Sequence, residues 1–311
     1  MALTSQSTSM PPHVPYKLWA DMYYSNRNSA LAQRSVDRAV RRVESLRDHR
    51  DSIFPPSILS QMSELTAASR RKTSLADPIF ATMPDLMDLR TEHGVTPFIM
   101  IKAALSIFLA AKTRTRTAVF GQVENGRTWP SLEPWAQEML PDCMDVAGPT
   151  LERTVQIVAV SEITALDFMS DLTKRGELEG RDVHAPWDMV RDRLGSTEDR
   201  ALFDTASMSV TLNYIPIRTT KGVAVFKEMV YHGTRTNCES AWLYFCGVEG
   251  QGKETRFWTR TFAVDDIVSC EEATTWSHEV MSIASWLSDR SNWLKSLAEC
   301  PSFEKVKAAQ P

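Results

Sequence analysis

The side chains able to do acid–base, nucleophilic or metal chemistry are dispersed along this chain. The six histidines, His13, His49, His93, His184, His232 and His278, stand alone in sequence. No H-E-x-x-H spacing places two imidazoles on one helix face toward a metal. The five cysteines, Cys143, Cys238, Cys246, Cys270 and Cys300, are scattered, odd in number and form no C-x-x-C pair. That pattern argues against a disulfide framework or a zinc site and for a reduced, cytoplasmic setting. There is no G-x-S-x-G elbow, no Walker loop and no G-x-G-x-x-G fingerprint, so neither a metal nor a cofactor is expected. Gly247-x-x-Gly250-x-Gly252 reads as a hairpin turn, not a phosphate cradle. Asp265-Asp266 and Glu271-Glu272 are acidic pairs. At a helix start such carboxylates serve as dipole partners, the alternative being a catalytic dyad.

Two polar groupings remain. In the stretch Ala206 to Tyr214, read as a strand, Ser207, Ser209, Thr211 and Asn213 alternate with Met208, Val210, Leu212 and Tyr214, and alternation sends the two sets to opposite faces. A polar face means solvent, a neighbouring strand or a cavity. Glu124 and Arg127 flank Gly126, and either face the same cavity or pair with each other as a salt bridge. His184-x-x-x-Asp188 supplies a further His/Asp spacing, with a packed or capping histidine as the plain reading.

The elements that must position these residues are legible in the periodicities. The chain has 311 residues, 43% hydrophobic and 24% charged, with net charge -4; this is globular composition with room for a sizeable core. It holds no clustered basic excess to track phosphates or an anionic bilayer, so neither nucleic acid nor membrane is an expected partner. Residues 1–15, rich in Ser, Thr and Pro without an apolar core, read as a flexible lead and not as a secretory signal. Leu31, Val36, Val40, Val43 and Leu46 mark an amphipathic helix, Ile58 to Ala68 a second, and Arg70-Arg71-Lys72 its solvated end. Asp77 to Pro84 reads as loop. Thr96 and Pro97 open a buried core helix, Phe98 to Ala111, too short to span a bilayer. Strands are expected at Ala118–Val123, Val155–Val160, Ala206–Tyr214, Val223–Met229, Ala241–Val248 and Arg256–Phe262. Helices are expected at Thr164–Leu172, Pro186–Leu194 and Glu271–Leu287. With no repeat and no compositional break, residues 16–311 read as one domain, an α/β (α+β) sandwich of mixed sheet and packed helices.

Several segments, in order, resemble the condensation domains of fungal-type nonribosomal peptide synthetases. Tyr16-Lys17-Leu18-Trp19-Ala20-Asp21-Met22-Tyr23-Tyr24 is similar to an aromatic YK-x-x-AD-x-YY segment, and the helix carrying Ala32, Val36, Asp37 and Arg41 follows it as in that family. Thr96-Pro97-Phe98 resembles the opening of the helix after the domain midpoint. Phe120-Gly121-Gln122-Val123-Glu124-Asn125-Gly126-Arg127 resembles FG-x-x-x-x-GR, and Gly148-Pro149-Thr150-Leu151-Glu152-Arg153 resembles GPTLNR. His184-Ala185-Pro186-Trp187-Asp188 lies where the family approaches a helix with a histidine. Leu202-Phe203-Asp204-Thr205 with Asn213 resembles an LFDT strand ending in a Gln-Asn pair.

The resemblance implies one lobe, the C-terminal one, of the two-lobed chloramphenicol-acetyltransferase type of fold, whose substrate tunnel lies between the lobes. The HH-x-x-x-DG motif of the first lobe is not found, and no two histidines are adjacent. Departures fall inside the matched half as well: Glu152 stands where Asn is usual, Thr154 replaces an apolar residue, and Gln156 interrupts a stretch that carries Pro and Arg. If the polar strand borders the tunnel, as the resemblance implies, Glu124, Arg127, Ser207, Ser209, Thr211 and Asn213 are the expected substrate-binding residues, with Arg127, Asn213 and His184 the catalytic candidates. Three functions follow from the resemblance. One is a ring-forming enzyme of secondary metabolism acting on a polyketide or peptide intermediate, a cyclase or pericyclase that works by orientation. The second is a split condensation subunit whose partner lobe supplies the histidines. The third is a non-catalytic docking module of a synthetase. A lone lobe also implies an apolar surface covered by a second copy, as a homodimer, or by a partner synthetase lobe.

Overall fold

A computed structural model describes residues 14–60, 73–125, 146–147, 151–179, 185–215, 240–249 and 256–303. In chain order the elements are β1 (Val14–Pro15), α1 (Tyr16–Asn26), α2 (Ala30–Glu44), β2 (Thr73–Leu75), β3 (Ile79–Thr82), α3 (Leu86–His93), α4 (Pro97–Thr113), β4 (Thr117–Asn125) and β5 (Val146–Ala147). They continue with β6 (Leu151–Ala159), α5 (Ala165–Glu179), α6 (Trp187–Arg193), α7 (Thr197–Met208), β7 (Val210–Ile215), β8 (Trp242–Glu249), β9 (Arg256–Val264) and α8 (Cys270–Ser288). A 3-10 stretch, Ser45–Ser52, follows α2.

The helices begin where their caps dictate. Ser29 accepts from the Ala32 amide to start α2, Thr96 from Ile99 to start α4, and Ser196 from Asp199 to start α7. Pro97 occupies the first turn of α4, where its missing N–H costs nothing. Gly94, at φ 69°, closes α3 in the left-handed conformation. A full capping box, Ser269 with Glu272, opens α8, so Glu272 caps a helix end. Helix α4 is apolar on all sides and is buried from Ile99 to Ala111, as such a helix must be.

Seven strands form one mixed sheet. The order is β2–β9–β8–β7–β4–β6, with β3 also on β9. Strand β4 runs antiparallel to β6 and parallel to β7; β7 and β8 are parallel, β8 and β9 antiparallel. Period two puts Ala118, Phe120, Gln122 and Glu124 on one face beside their register partners Val158, Gln156, Thr154 and Glu152. Helices α4 and α8 cover this face: Lys102 reaches Gln156, and the Trp242 ring lies 5.6 Å from Phe108 and 5.4 Å from Trp276. Helix α7 covers the other, and Gly121 is required there, because a Cβ would sit 2.2 Å from the Ser207 carbonyl oxygen.

Two expectations are corrected. Asp77 to Pro84 is not all loop: Ile79–Thr82 pairs with Thr259–Arg256 as β3, and Asp77-Pro78 and Pro84 bracket the strand. The strand expected to begin at Ala206 begins at Val210, because α7, well capped at Ser196, runs to Met208. The Leu202-Phe203-Asp204-Thr205 segment is therefore helical, and the alternation of Ser207, Met208, Ser209 and Val210 straddles a helix end and a strand start. The expected strand Val223–Met229, the basic cluster at residues 70–72, most of the expected helix 58–68 and the turn at Gly250 and Gly252 lie outside the described residues. Among the described residues no single helix is long and apolar enough to cross a membrane.

Candidate functional site

Of the residues expected to bind or act, Arg127 and His184 lie outside the described residues. Ser207, Ser209 and Thr211 are buried at the junction of α7 and β7, where their hydroxyls close the helix end. Ser207 donates to the Asp204 carbonyl at 2.9 Å, Ser209 to Ala206 at 3.3 Å and Thr211 to Ser207 at 3.1 Å. Thr211 also shares a 2.7 Å bond with Ser240. The single polar strand face is thus reduced to Thr211 and Asn213, Ser207 being helical and Ser209 the helix cap. Asn213 is half-buried in β7, opposite Phe245.

Glu124, next to the last residue of β4, accepts from the Gln122 side-chain amide nitrogen. With Arg42, Arg153, Thr154 and Gln156 it lines a cavity of about 40 Å³ floored by Val43 and Phe203. That is water-sized space, well short of the roughly 300–1,000 Å³ that encloses a drug-sized ligand. A polar row crosses the same end of the sheet. Lys102, buried in α4, donates to Gln156 at 2.7 Å, and Gln156 donates to Thr154 at 3.0 Å. The Gln122 side-chain oxygen is buried without a hydrogen-bond partner among the described residues.

At the end of this row the structure assembles a cluster that the sequence reading did not select. Glu152 of β6 is directly opposite Glu124, is 9% exposed, and accepts a hydrogen bond from the Tyr23 hydroxyl of α1. One turn further along α1, Arg27 pairs with Asp188 of α6. Burial pushes the Glu152 carboxyl up, Tyr23 and Arg27 pull it down, Asp188 pushes it up again, and the result is about 7. Burial and the adjacent carboxylate push the Tyr23 hydroxyl well above the ordinary tyrosine range. Near neutrality Glu152 therefore exists in both protonation states, which is what a general acid–base group needs. The signal in the sequence was the departure from the resembled GPTLNR motif, a carboxylate at Glu152, together with the Tyr23-Tyr24 pair.

Other carboxylates with strong partners are structural. Buried Asp199 is held down by Arg47, whose Nε and Nη2 donate at 2.6 and 2.5 Å. Burial raises Asp204, and Arg191, at 3.1 Å, opposes that. Among the described residues no three His, Cys, Asp or Glu side chains converge as a metal site.

No protein-family model matches the chain, and no curated protein matches it. Solved structures do. The first condensation domain of the CDA synthetase matches with TM-score 0.59 at 11% identity over 91% of this chain and 55% of that one. The first condensation domain of the calcium-dependent antibiotic synthetase in complex with a substrate analogue matches with TM-score 0.62 at 12% identity, over 91% and 58%. The starter condensation domain of rhizomide synthetase matches with TM-score 0.56 at 11% identity, over 89% and 56%. The chain thus spans a little over half the length of these domains, and its mixed sheet with packed helices has the fold of a nonribosomal-peptide condensation domain.

Proposed function

We propose that this chain is a condensation-domain-derived enzyme of secondary-metabolite biosynthesis that binds a polyketide or peptide intermediate and promotes closure of a ring, with Glu152 handling the proton. The observation that carries this reading is the buried Glu152–Tyr23 pair, whose carboxyl titrates near 7 in a chain without adjacent histidines. An ionised Glu152 takes a proton from an acidic carbon or heteroatom of the substrate. The electron pair left behind forms the new bond to an electrophilic carbon within the same molecule, and the protonated carboxyl returns its proton to the developing oxyanion. Orientation of the two reacting ends contributes on the order of 7–11 kcal/mol at most. Glu124, Asn213 and, outside the described residues, Arg127 and His184 are the proposed binding groups, with Ser207, Ser209 and Thr211 shaping the wall behind them.

One observation favours a second reading, a split condensation subunit completed by a partner lobe: the solved domains extend over much more chain than this one. Such a subunit would act in acyl or peptidyl transfer; the similar structures are named as condensation domains. Gene deletion followed by mass spectrometry of the host's metabolites separates the two. An accumulating isomer of the product, unchanged in mass, supports ring closure. A product shorter by one building block overturns it in favour of condensation. Reintroduced Glu152→Gln must behave as the deletion does if the carboxyl handles the proton.

A further inference from the structure

Helix α1 follows the short strand β1, which pairs with β5, and is tied further along by polar contacts to β6 and α6. Among the described residues its apolar contacts form a cluster of their own, Trp19 and Met22 with Leu18, Ala20 and Tyr23. Within the helix the Trp19 ring stacks 5.6 Å from Tyr16 and 5.0 Å from Tyr23. Its start carries no side-chain cap, Pro15 preceding it. Two polar donors on its covered face, Trp19 Nε1 and Asn26 Nδ2, are buried with no hydrogen-bond partner among the described residues. Each such donor gives up its water without a replacement, so covering this face is costly. Against that cost stand two polar anchors one turn apart, Tyr23 on Glu152 and Arg27 on Asp188.

We propose that α1 is a protonation-controlled lid over Glu152, closed while Glu152 carries its proton and released when the carboxylate ionises. The inference rests on Glu152 as the proton-handling group of the proposed site and adds how that site is opened. With α1 in place, the groups around the Glu152 carboxyl among the described residues are Tyr23 and Arg27 from α1, Asp188 from α6 and Glu124 from β4, with Arg153 next on its own strand. Two of these are carboxylates, and Arg27, the cation that α1's C-terminus brings near Glu152, is already paired with Asp188. A charge on Glu152 is therefore poorly met under the lid and well met by water once α1 leaves. The proton is given to solvent as the helix opens and recovered from it on closing. Because the closed state holds the proton more tightly than the open one, linkage makes closure weaken as pH rises through about 7.

Hydrogen–deuterium exchange on the whole chain tests this without substrate. Protection of residues 16–26, corrected for intrinsic exchange, is expected to fall about tenfold between pH 6 and pH 8. Residues 97–113 of α4, which serve as the internal reference, hold theirs. In Glu152→Gln, whose amide oxygen still accepts from Tyr23, the α1 protection is expected to be equal at both pH values. In Tyr23→Phe the fall moves to higher pH, because the hydroxyl that favours the ionised carboxylate is gone; this keeps the test alive if the first variant does not fold. Wild-type protection that is flat with pH, a fall that persists in Glu152→Gln, or an equal loss in α4 overturns the lid. Normal lid behaviour with unaltered metabolites from the Glu152→Gln strain would sink the catalytic reading and leave the lid standing.

Discussion

Helices α1 and α4 carry opposite solutions to the same problem, an apolar surface that must be covered. In α4 burial is complete and its polar groups are answered. Thr96 caps it, Ser106 donates to the Lys102 carbonyl at 2.7 Å, and the Lys102 ammonium meets Gln156. Eleven of its buried residues, all apolar, join α8 and the sheet in one cluster. In α1 burial is partial, two donors go unanswered among the described residues, and one hydroxyl and one ion pair add to its packing and to the β1–β5 pairing at its start. The difference teaches that the two helices hold for different reasons. Helix α4 is held by packing, which is insensitive to pH. Helix α1 is held by a contact whose strength depends on a single proton.

The largest expected effect lies in the core. Phe108 is 1% exposed and sits 6.0 Å from the Phe54 ring and 5.6 Å from Trp242. Phe108→Ala is expected to cost about 3–5 kcal/mol of unfolding free energy in urea titrations, by lost transfer and an unfilled cavity. The loss should be the same at pH 6 and pH 8. A pH-dependent loss would show that the α4 core and the α1 contact are one cooperative unit, and the comparison would fail.

The next effect belongs to Glu152 and has a definite sign. A carboxyl raised from 4.5 to about 7 binds its proton more tightly in the folded state. The stability it contributes is complete below 4.5 and lost as pH rises through 7. For a rigid molecule the loss is about 3 kcal/mol. Glu152→Gln is expected to remove this dependence and to exceed wild type in stability above pH 7. Release of α1 returns the carboxylate to water, so the wild-type loss should stop at the free energy that holds the lid. A measured loss of the full size would mean that α1 stays shut.

How far the sequence disclosed these two regions follows from the physics each uses. The core helix was legible because capping by Thr96 and Pro97 and an unbroken apolar run are local signals. Strands β4, β6, β8 and β9 were legible from short apolar runs, and the condensation-type fold from motifs in order. The start of β7 was misread because Ser207, Met208, Ser209 and Val210 satisfy a two-residue period while the backbone is still finishing a helix. Strand β3 was hidden because its proof is its register with β9, nearly 180 residues away. The site was hidden for the same reason. Tyr23, Glu152 and Asp188 come from three elements, and burial, which gives Glu152 its unusual proton affinity, is a property of the assembled structure. The substitution of Glu for Asn was visible; its partner was not.

The smallest effect gives the sharpest comparison, because two variants must move in opposite directions. Arg27 lowers the Glu152 carboxyl and Asp188 raises it, while the two pair with each other at a partly exposed site, 25% and 54% by side chain. Such a pair contributes about 0–1 kcal/mol, so either variant should loosen α1 only slightly at every pH. The midpoint is the informative quantity. Asp188→Asn removes a neighbouring negative charge and frees Arg27 for Glu152, so the pH at which α1 loses protection should fall by a few tenths of a unit. Arg27→Met removes the positive charge, keeps most of the aliphatic stem, and should raise that midpoint by a similar amount. Exchange of residues 16–26 across a closely spaced pH series reads both. If the pair acted only as a mechanical clasp, both variants would lower protection and leave the midpoint fixed. Opposite displacements require that the charges act through the proton on Glu152.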